Sequence, residues 1–212
     1  MTSKQNASQT HVIEVTGVGH AYAQPLLATV ILGVSTTAST ASQVVKSNSQ
    51  AMTQVMAAIQ QLGIADTEIE TSTYTLRPQY SRGQPTERRL IGFEVTLLTK
   101  VTTSTTQVSA LLDKVVEAGA NQINSISFTF PRKKRLELEV EARRIAVADA
   151  QAKAKTIASS LGVNIIGVKS AVEGRISSPI VRTRALSSQP PISPPSEAAV
   201  TVSLRVTFLM AD

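Results

Sequence analysis

The segment that most constrains the fold of this chain runs from Gly119 to Gly162. In it, a short apolar strand leads through Pro131 into a long helical pattern. Four basic residues, Arg132–Arg135, open the pattern, and Gly162 closes it. The predicted helix has about thirty residues and a length of roughly 45 Å at 1.5 Å per residue. A helix of that length is unusual in a globular protein, so it dominates the expected architecture.

Composition indicates a folded chain whose core is aliphatic. Of the 212 residues, 42% are hydrophobic and 17% are charged, which is typical of globular rather than disordered proteins. Aromatic residues make up only 3%, and there is no tryptophan. The absence of cysteine excludes disulfides, thiolate metal sites and a cysteine nucleophile.

Hydrophobic periodicity predicts strands that alternate with three helices. The first helix should begin at a capping box formed by Thr40 and Gln43 and end at Gly63. The second should cover about Thr105–Ala118, and the third should have Pro131 as its first residue. The strands are predicted at His11–Thr16, Leu26–Ser35, Ile69–Tyr80, Arg89–Val101, Ile123–Phe130, Asn164–Val172 and Ala198–Leu209.

This order predicts an α+β fold, in which the helices pack on largely antiparallel sheet. Residues 1–10 are expected to be a flexible N-terminal segment, and residues 11–212 a single domain. Two intimate subdomains, 11–101 and 102–212, are the alternative. A loop rich in proline, serine and arginine is predicted at 174–197.

The third helix carries both large and small apolar residues. Leu136, Val140, Val147 and Ile157 form a heptad-like stripe, and many alanines lie between them. Alanine raises helix propensity and allows neighbouring elements to approach closely. We expect the helix to pack on the sheet. Because of its length, we also consider that it extends to meet a helix of a partner subunit.

Charge is concentrated in the C-terminal part of the chain. Residues 1–131 hold equal numbers of basic and acidic residues, so the net charge of +6 comes from residues 132–212. Such an excess suits either an anionic partner or an ordinary solvated face. The candidate residues for partner binding or assembly are Arg132, Lys133, Lys134, Arg135, Arg175, Arg182 and Arg184. Nucleic acid is disfavoured as the partner because no aromatic stacking residues lie near Arg132–Arg135.

The motifs of catalysis are missing from the sequence. His11 and His20 do not have metal-ligand spacing, and no nucleophile elbow or phosphate-binding loop is present. Gly17 and Gly19 follow a strand without the third glycine of a dinucleotide fingerprint. We therefore expect neither an enzyme nor a cofactor or metal site.

Targeting signals do not settle the compartment. The first residues lack the charged and apolar regions of a signal peptide, and no apolar run is long enough to span a membrane. As written, the chain is predicted to be cytoplasmic. If it is a mature form, the periplasm or cell envelope is the alternative, and contact with a membrane surface stays open.

Several segments, taken in order, resemble the SIMPL domain family, a domain of unknown function. The matching segments are VTGVG (15–19), LGIADTEIETSTYTLRPQY (62–80), IGFEVT (91–96), GANQINSISFTF (119–130) and EARRIAVADAQAKAKTIASSLGVNIIGV (141–168). Two features depart from the family pattern. Pro25 is followed by Leu26 rather than by aspartate, and the usual signal peptide is missing.

The resemblance implies an α+β fold and homo-oligomeric, ring-like assembly. It also implies a periplasmic or outer-membrane setting linked to oxidative or envelope stress, and a eukaryotic relative binds a signalling kinase. The family supplies no agreed catalytic residues. The leading hypothesis is a non-enzymatic, self-assembling scaffold or interaction protein. The alternative is a module that binds an anionic ligand, lipid headgroup or nucleic acid through its basic C-terminal part.

Overall fold

The computed structural model of the chain describes residues 11–81, 88–177, 181–183 and 195–211. These residues form three helices and two antiparallel sheets, which confirms the predicted α+β class and the long third helix. In chain order the elements are β1 (His11–Ala23), β2 (Leu27–Ala38), α1 (Ala41–Gln61), β3 (Ile69–Tyr80), β4 (Leu90–Ser104), α2 (Val108–Glu117), β5 (Gln122–Thr129), α3 (Arg132–Leu161), β6 (Asn164–Glu173), β7 (Val181–Thr183) and β8 (Ala198–Ala211).

The described elements fall into two compact units. One unit contains β1, α3, β6 and β8, and the other contains β2 to β5, β7, α1 and α2. The chain passes from one unit to the other near residues 24 and 130, between residues 177 and 181, and near residue 196. The physical reason is the pairing of β1 with β8, which joins the beginning of the described chain to its end.

The unit of β2 to β5 contains a five-stranded sheet, and its helices alternate with its strands along the chain. Its strands are arranged β3-β4-β2-β5-β7, and all of their pairings are antiparallel. The first six elements follow the β-α-β-β-α-β order of a ferredoxin-like split unit. Thr40 caps α1 as predicted, because its Oγ1 accepts a hydrogen bond from the backbone N–H of Gln43 at 3.3 Å. Gly63 follows the helix with a φ of 76°.

The core of this unit is built from large aliphatic side chains. Alternate residues of β2 meet the inward faces of α1 and α2, and most of these side chains are fully buried. Members of this core include Val30, Leu32, Val55, Ile59, Val101, Leu111 and Phe128. Burying side chains of this size removes the most apolar surface from water per residue, and that burial stabilises the unit.

The unit of α3 has a three-stranded sheet in the order β1-β8-β6. β1 pairs with β8 along its length, from His11 opposite Met210 to Ala23 opposite Ala198. The buried residues of β8 alternate strictly with less buried ones, as the sequence pattern predicted. Both β1 and β6 are edge strands of this sheet.

The boundaries of α3 differ by one residue from the prediction. Pro131 is the residue before the helix rather than its first residue, because its ψ of 147° is extended. The helix covers Arg132–Leu161, which is 30 residues, and ends at Gly162 with a φ of 73°. None of the helices in the described part of the chain is long and apolar enough to cross a membrane.

Candidate interaction surface

The inward side of α3 is formed almost entirely of alanine. The buried residues recur every four positions and are Leu138, Ala142, Ala146, Ala150, Ala154 and Ala158. Side chains this small let the helix backbone lie close to the strands beneath it. The sheet contact of α3 is therefore made at short range, with little side-chain volume between helix and strand.

Two glycines of β1 complete this close approach. A β-carbon added at Gly17 would collide with the carbonyl oxygen of Ala146, and one at Gly19 would collide with that of Ala142. The added atom at Gly17 would also lie 2.8 Å from the β-carbon of Ala150. Only glycine fits here. We call the contact of these five residues the alanine–glycine seam.

Asp149 and Lys153 of α3 form a charged pair that hydrogen-bonds to the backbone in the middle of the edge strand β1. Asp149 Oδ2 accepts a hydrogen bond from the backbone N–H of Val18 at 2.8 Å. Lys153 Nζ donates to Asp149 Oδ2 at 2.6 Å and to the carbonyl oxygen of Thr16 at 2.9 Å. The hydrogen bond from Lys153, and then that from Val18, lowers the pKa of Asp149 below its usual value. The pair satisfies backbone groups that an edge strand leaves without a neighbour.

The outward side of α3 carries the larger apolar residues. The exposed fractions of Leu136, Val140 and Val147 are 46%, 64% and 43%. We call these three residues the outer stripe. Ile157, the fourth residue of the predicted heptad-like pattern, is also exposed. The helix thus buries alanine and exposes leucine and valine, which is the reverse of an ordinary amphipathic helix.

The predicted basic cluster lies at the start of α3, beside the outer stripe. Lys134 Nζ is 3.5 Å from Glu137 Oε2, and Arg135 Nε is 3.8 Å from Glu139 Oε1. Arg132 and Lys133 are exposed and lie within 4.0 Å of no carboxylate among the described residues. Since like charges repel, a cluster of this kind favours an acidic neighbour.

The other predicted binding residues, Arg175, Arg182 and Arg184, lie outside α3 in the sequence. Arg175 follows β6 and is exposed. Arg182 lies on β7, which belongs to the unit of β2 to β5. Arg184 is outside the described residues. The structure therefore places Arg132–Arg135 on the first turn of α3, and it does not place the remaining arginines on that helix.

Two cavities among the described residues offer alternative sites. One of about 600 Å³ lies between α3 and β6, and Lys155 is the charged residue that lines it. Another of about 180 Å³ lies beside Glu94 on the sheet of the other unit. Glu94 accepts hydrogen bonds from Ser35 Oγ at 2.9 Å and Gln79 Nε2 at 3.4 Å. Within the described residues, no group of three acidic, histidine or cysteine side chains could hold a metal ion.

Comparison with known proteins gives one family. The model of the SIMPL family, described as protein of unknown function (DUF541), matches residues 13–208. Two similar proteins are both named 26 kDa periplasmic immunogenic protein, one from Brucella melitensis biotype 1 and one from Brucella abortus (strain S19). Each is 32% identical over 123 residues, which cover 56% of this chain and 49% of the relative. The chain thus matches about half the length of these relatives.

Proposed function

This chain belongs to the SIMPL family of proteins of unknown function, and we propose that it is a self-assembling interaction protein whose contact surface is the outward side of α3. The proposal assigns it no catalytic step. The observation that carries the proposal is the inverted distribution of side chains on α3. Alanines face the sheet, while Leu136, Val140 and Val147 face outward.

The size of the exposed side chains supports an interaction role. Removing a valine or leucine side chain fully from water contributes about 1.5–3 kcal/mol. In α3 this contribution is only partly realised within the chain, because about half of the surface of each stripe residue is exposed. A partner that covers the stripe would gain the rest. Scattered apolar residues are common on surfaces, whereas several on one side of one helix favour a contact.

The relatives suggest a setting for the proposal. The two Brucella proteins are named as periplasmic, so we propose the cell envelope as the compartment of this chain as well. The link to envelope or oxidative stress, which the family resemblance implies, stays a prediction.

Size-exclusion chromatography with light scattering tests the proposal. The protein should have a mass above that of its 22.5 kDa chain at micromolar concentration. Val140→Glu, which puts a charge in the middle of the outer stripe, should lower the mass to that of the monomer. Val116→Glu is the matched control, because Val116 is also an exposed valine on a helix, with 52% of its surface accessible. This control should assemble like the unmodified protein.

Two results would contradict the proposal. A strictly monomeric unmodified protein at all concentrations up to about 100 µM would remove self-assembly, since a useful weak contact has a dissociation constant in or below that range. Equal assembly of both glutamate variants would remove the outer stripe as the contact surface. Circular dichroism of both variants checks that α3 is intact.

A second candidate function is binding to an anionic surface. The exposed Arg132 and Lys133 beside the apolar Leu136 favour it, since this combination suits the headgroup layer of an acidic membrane. Sedimentation with phosphatidylglycerol vesicles should then bring down the protein, with phosphatidylcholine vesicles as the control. Replacing all four residues of Arg132–Arg135 by glutamine should weaken the binding and its dependence on salt. Unchanged sedimentation of this variant would reject the site.

A further inference from the structure

We propose that the outer stripe of α3 contacts the outer stripe of a second copy of this chain, and that the two helices run antiparallel. Leu136 of each copy then faces Val147 of the other, and Val140 faces Arg143. This inference rests on the proposed self-assembly and deepens it, because it names the partner surface, its direction and its register.

The spacing of the stripe matches a two-helix contact. Leu136, Val140, Arg143 and Val147 are separated by four, three and four residues, which is the spacing of the inward positions in a coiled coil. The next positions in this series, Ala150 and Ala154, are buried in the unit's own core. The contact therefore ends after Val147. It covers about 18 Å of helix at 1.5 Å per residue, which suits a weak, reversible association.

Charge selects the antiparallel direction. A parallel pair in register would bring the two Arg132–Arg135 clusters together and would place Arg143 of one copy against Arg143 of the other. In the antiparallel pair, each basic cluster lies opposite residues 148–151 of the second copy, where the charged residue, Asp149, is already paired with Lys153 of its own helix. The repulsion between the two clusters is thereby avoided.

The residues beside the stripe are complementary in the antiparallel arrangement. Glu137 follows Leu136 and Arg144 follows Arg143, so both lie on the same side of the stripe. The two-fold symmetry of an antiparallel pair brings Glu137 of each copy to Arg144 of the other, twice per dimer. The side chains of Glu137 and Arg144 are 52% and 72% exposed, and within their own helix they pair with Lys134 at 3.5 Å and with Glu141 at 2.7 Å. Each charge would therefore exchange or share an exposed pair of its own helix to reach the second copy, without leaving a buried position.

The guanidinium group of Arg143 is held to one side of the stripe by carboxylates of its own chain. Its Nε donates to Glu173 Oε1 at 2.7 Å, and its Nη2 lies 3.8 Å from Glu139 Oε2. This leaves the aliphatic part of the side chain to face Val140 of the second copy, since the charged end is held by carboxylates of its own chain. A cationic residue is thus accommodated within an otherwise apolar contact.

Disulfide cross-linking tests the direction, because the chain has no cysteine of its own. Leu136→Cys and Val147→Cys are purified separately with different tags, mixed and oxidised. The mixture should give a covalent dimer that carries both tags. Leu136→Cys alone should give little dimer, because its two copies would be about 16 Å apart along the helix, beyond the reach of a disulfide. Val116→Cys mixed with Val147→Cys is the control for random collision.

A charge exchange tests the register independently. Glu137→Arg should weaken the dimer about tenfold, since two attractive pairs become repulsive. Glu137→Arg combined with Arg144→Glu should restore the affinity, because the same pairs form with their signs reversed. Light scattering at several concentrations measures both variants.

The outcomes separate this inference from the proposed function. A monomeric unmodified protein would overturn both. Assembly together with a strong Leu136→Cys homodimer would show a parallel pair and overturn the inference alone. Assembly with no dimer that carries both tags, or with no restoration by the double exchange, would also overturn it, while self-assembly itself would stand.

Discussion

The two helix–sheet contacts of this chain are built in opposite ways. In the unit of β2 to β5, α1 and α2 place valine, isoleucine and leucine against the sheet, as with the fully buried Val55, Ile59 and Leu111. In the unit of α3, the helix places alanine against the sheet, and these alanines contact Gly17 and Gly19 of β1. One contact gains stability from buried apolar area, and the other from close backbone approach.

The difference between the two contacts determines where the large apolar residues of each helix lie. In α1 and α2 most of them are used within the core. In α3, Leu136, Val140 and Val147 lie outside, since the seam beneath the helix has no room for them. Large apolar side chains on the outward surface of a helix do not stabilise the core of their own chain. This is why we relate α3, and not the shorter helices, to assembly.

The largest expected effect comes from the same substitution made on the two kinds of helix surface. Leu111→Ala on α2 should lower the free energy of unfolding by about 2–5 kcal/mol, because Leu111 is fully buried and its removal leaves a cavity. Leu136→Ala on α3 should lower it by no more than about 1 kcal/mol in dilute solution, because the residue is 46% exposed and leaves no closed cavity. Urea unfolding followed by circular dichroism suits a protein without tryptophan.

This pair of variants can also contradict the distinction between the buried surface of α2 and the outer stripe of α3. If Leu136→Ala were as destabilising as Leu111→Ala in dilute solution, the outer stripe would belong to the core of its own chain. The proposed contact surface would then have to be abandoned. Repeating Leu136→Ala at high protein concentration separates the two contributions, because assembly stabilises the folded state by mass action.

An intermediate effect is expected at the alanine–glycine seam. Gly19→Ala should lower the free energy of unfolding by about 1–3 kcal/mol, because the new methyl group collides with the backbone of Ala142 and Ala146. Gly167→Ala on β6 is the matched control in the same sheet, since its methyl group would meet only the Leu209 Cδ1 at 3.9 Å. The same urea titration measures both. Equal stabilities of the two variants would show that the seam is not closely packed.

Local pattern was sufficient to predict the elements of the fold. The alternation of Val200 to Phe208 predicted β8, and the glycines at 63 and 162 marked where helices end, because these effects act between near neighbours in sequence. Pro131 was misplaced by one position. Its φ is nearly the same inside and just before a helix, so the residue type alone does not choose between the two places.

Distant pairings could not be predicted from one sequence. The division of the chain depends on β1 meeting β8, and the seam depends on Gly17 and Gly19 meeting Ala142 and Ala146 from far along the chain. For that reason the sequence left open which side of α3 packs on the sheet. The stripe and the basic cluster of the candidate site were visible as patterns, whereas the bonds of Asp149 to β1 were not.

The smallest expected effect is a dependence of stability on pH at the edge of β1. Asp149 has a lowered pKa in the folded protein, chiefly through the hydrogen bond from Lys153 and then through that from the Val18 N–H. A lowered folded pKa gives stability that is fully present above the unfolded value of about 3.9 and is lost as pH falls through the folded value. Asp149→Asn removes the charge, although its amide oxygen can still accept the N–H of Val18.

Urea titrations at a series of pH values measure this contribution. The unmodified protein should be more stable than Asp149→Asn at pH 7, and the difference should close as pH falls below about 4. Asp113→Asn is the control, because Asp113 is exposed on α2 and makes no hydrogen bond to a described side chain or to the backbone of another element. A gap between the unmodified protein and Asp149→Asn that stays constant from pH 7 to pH 3 would mean that the charge of Asp149 does not hold α3 to β1. The close contact between α3 and β1 would then be attributed to the alanine–glycine seam.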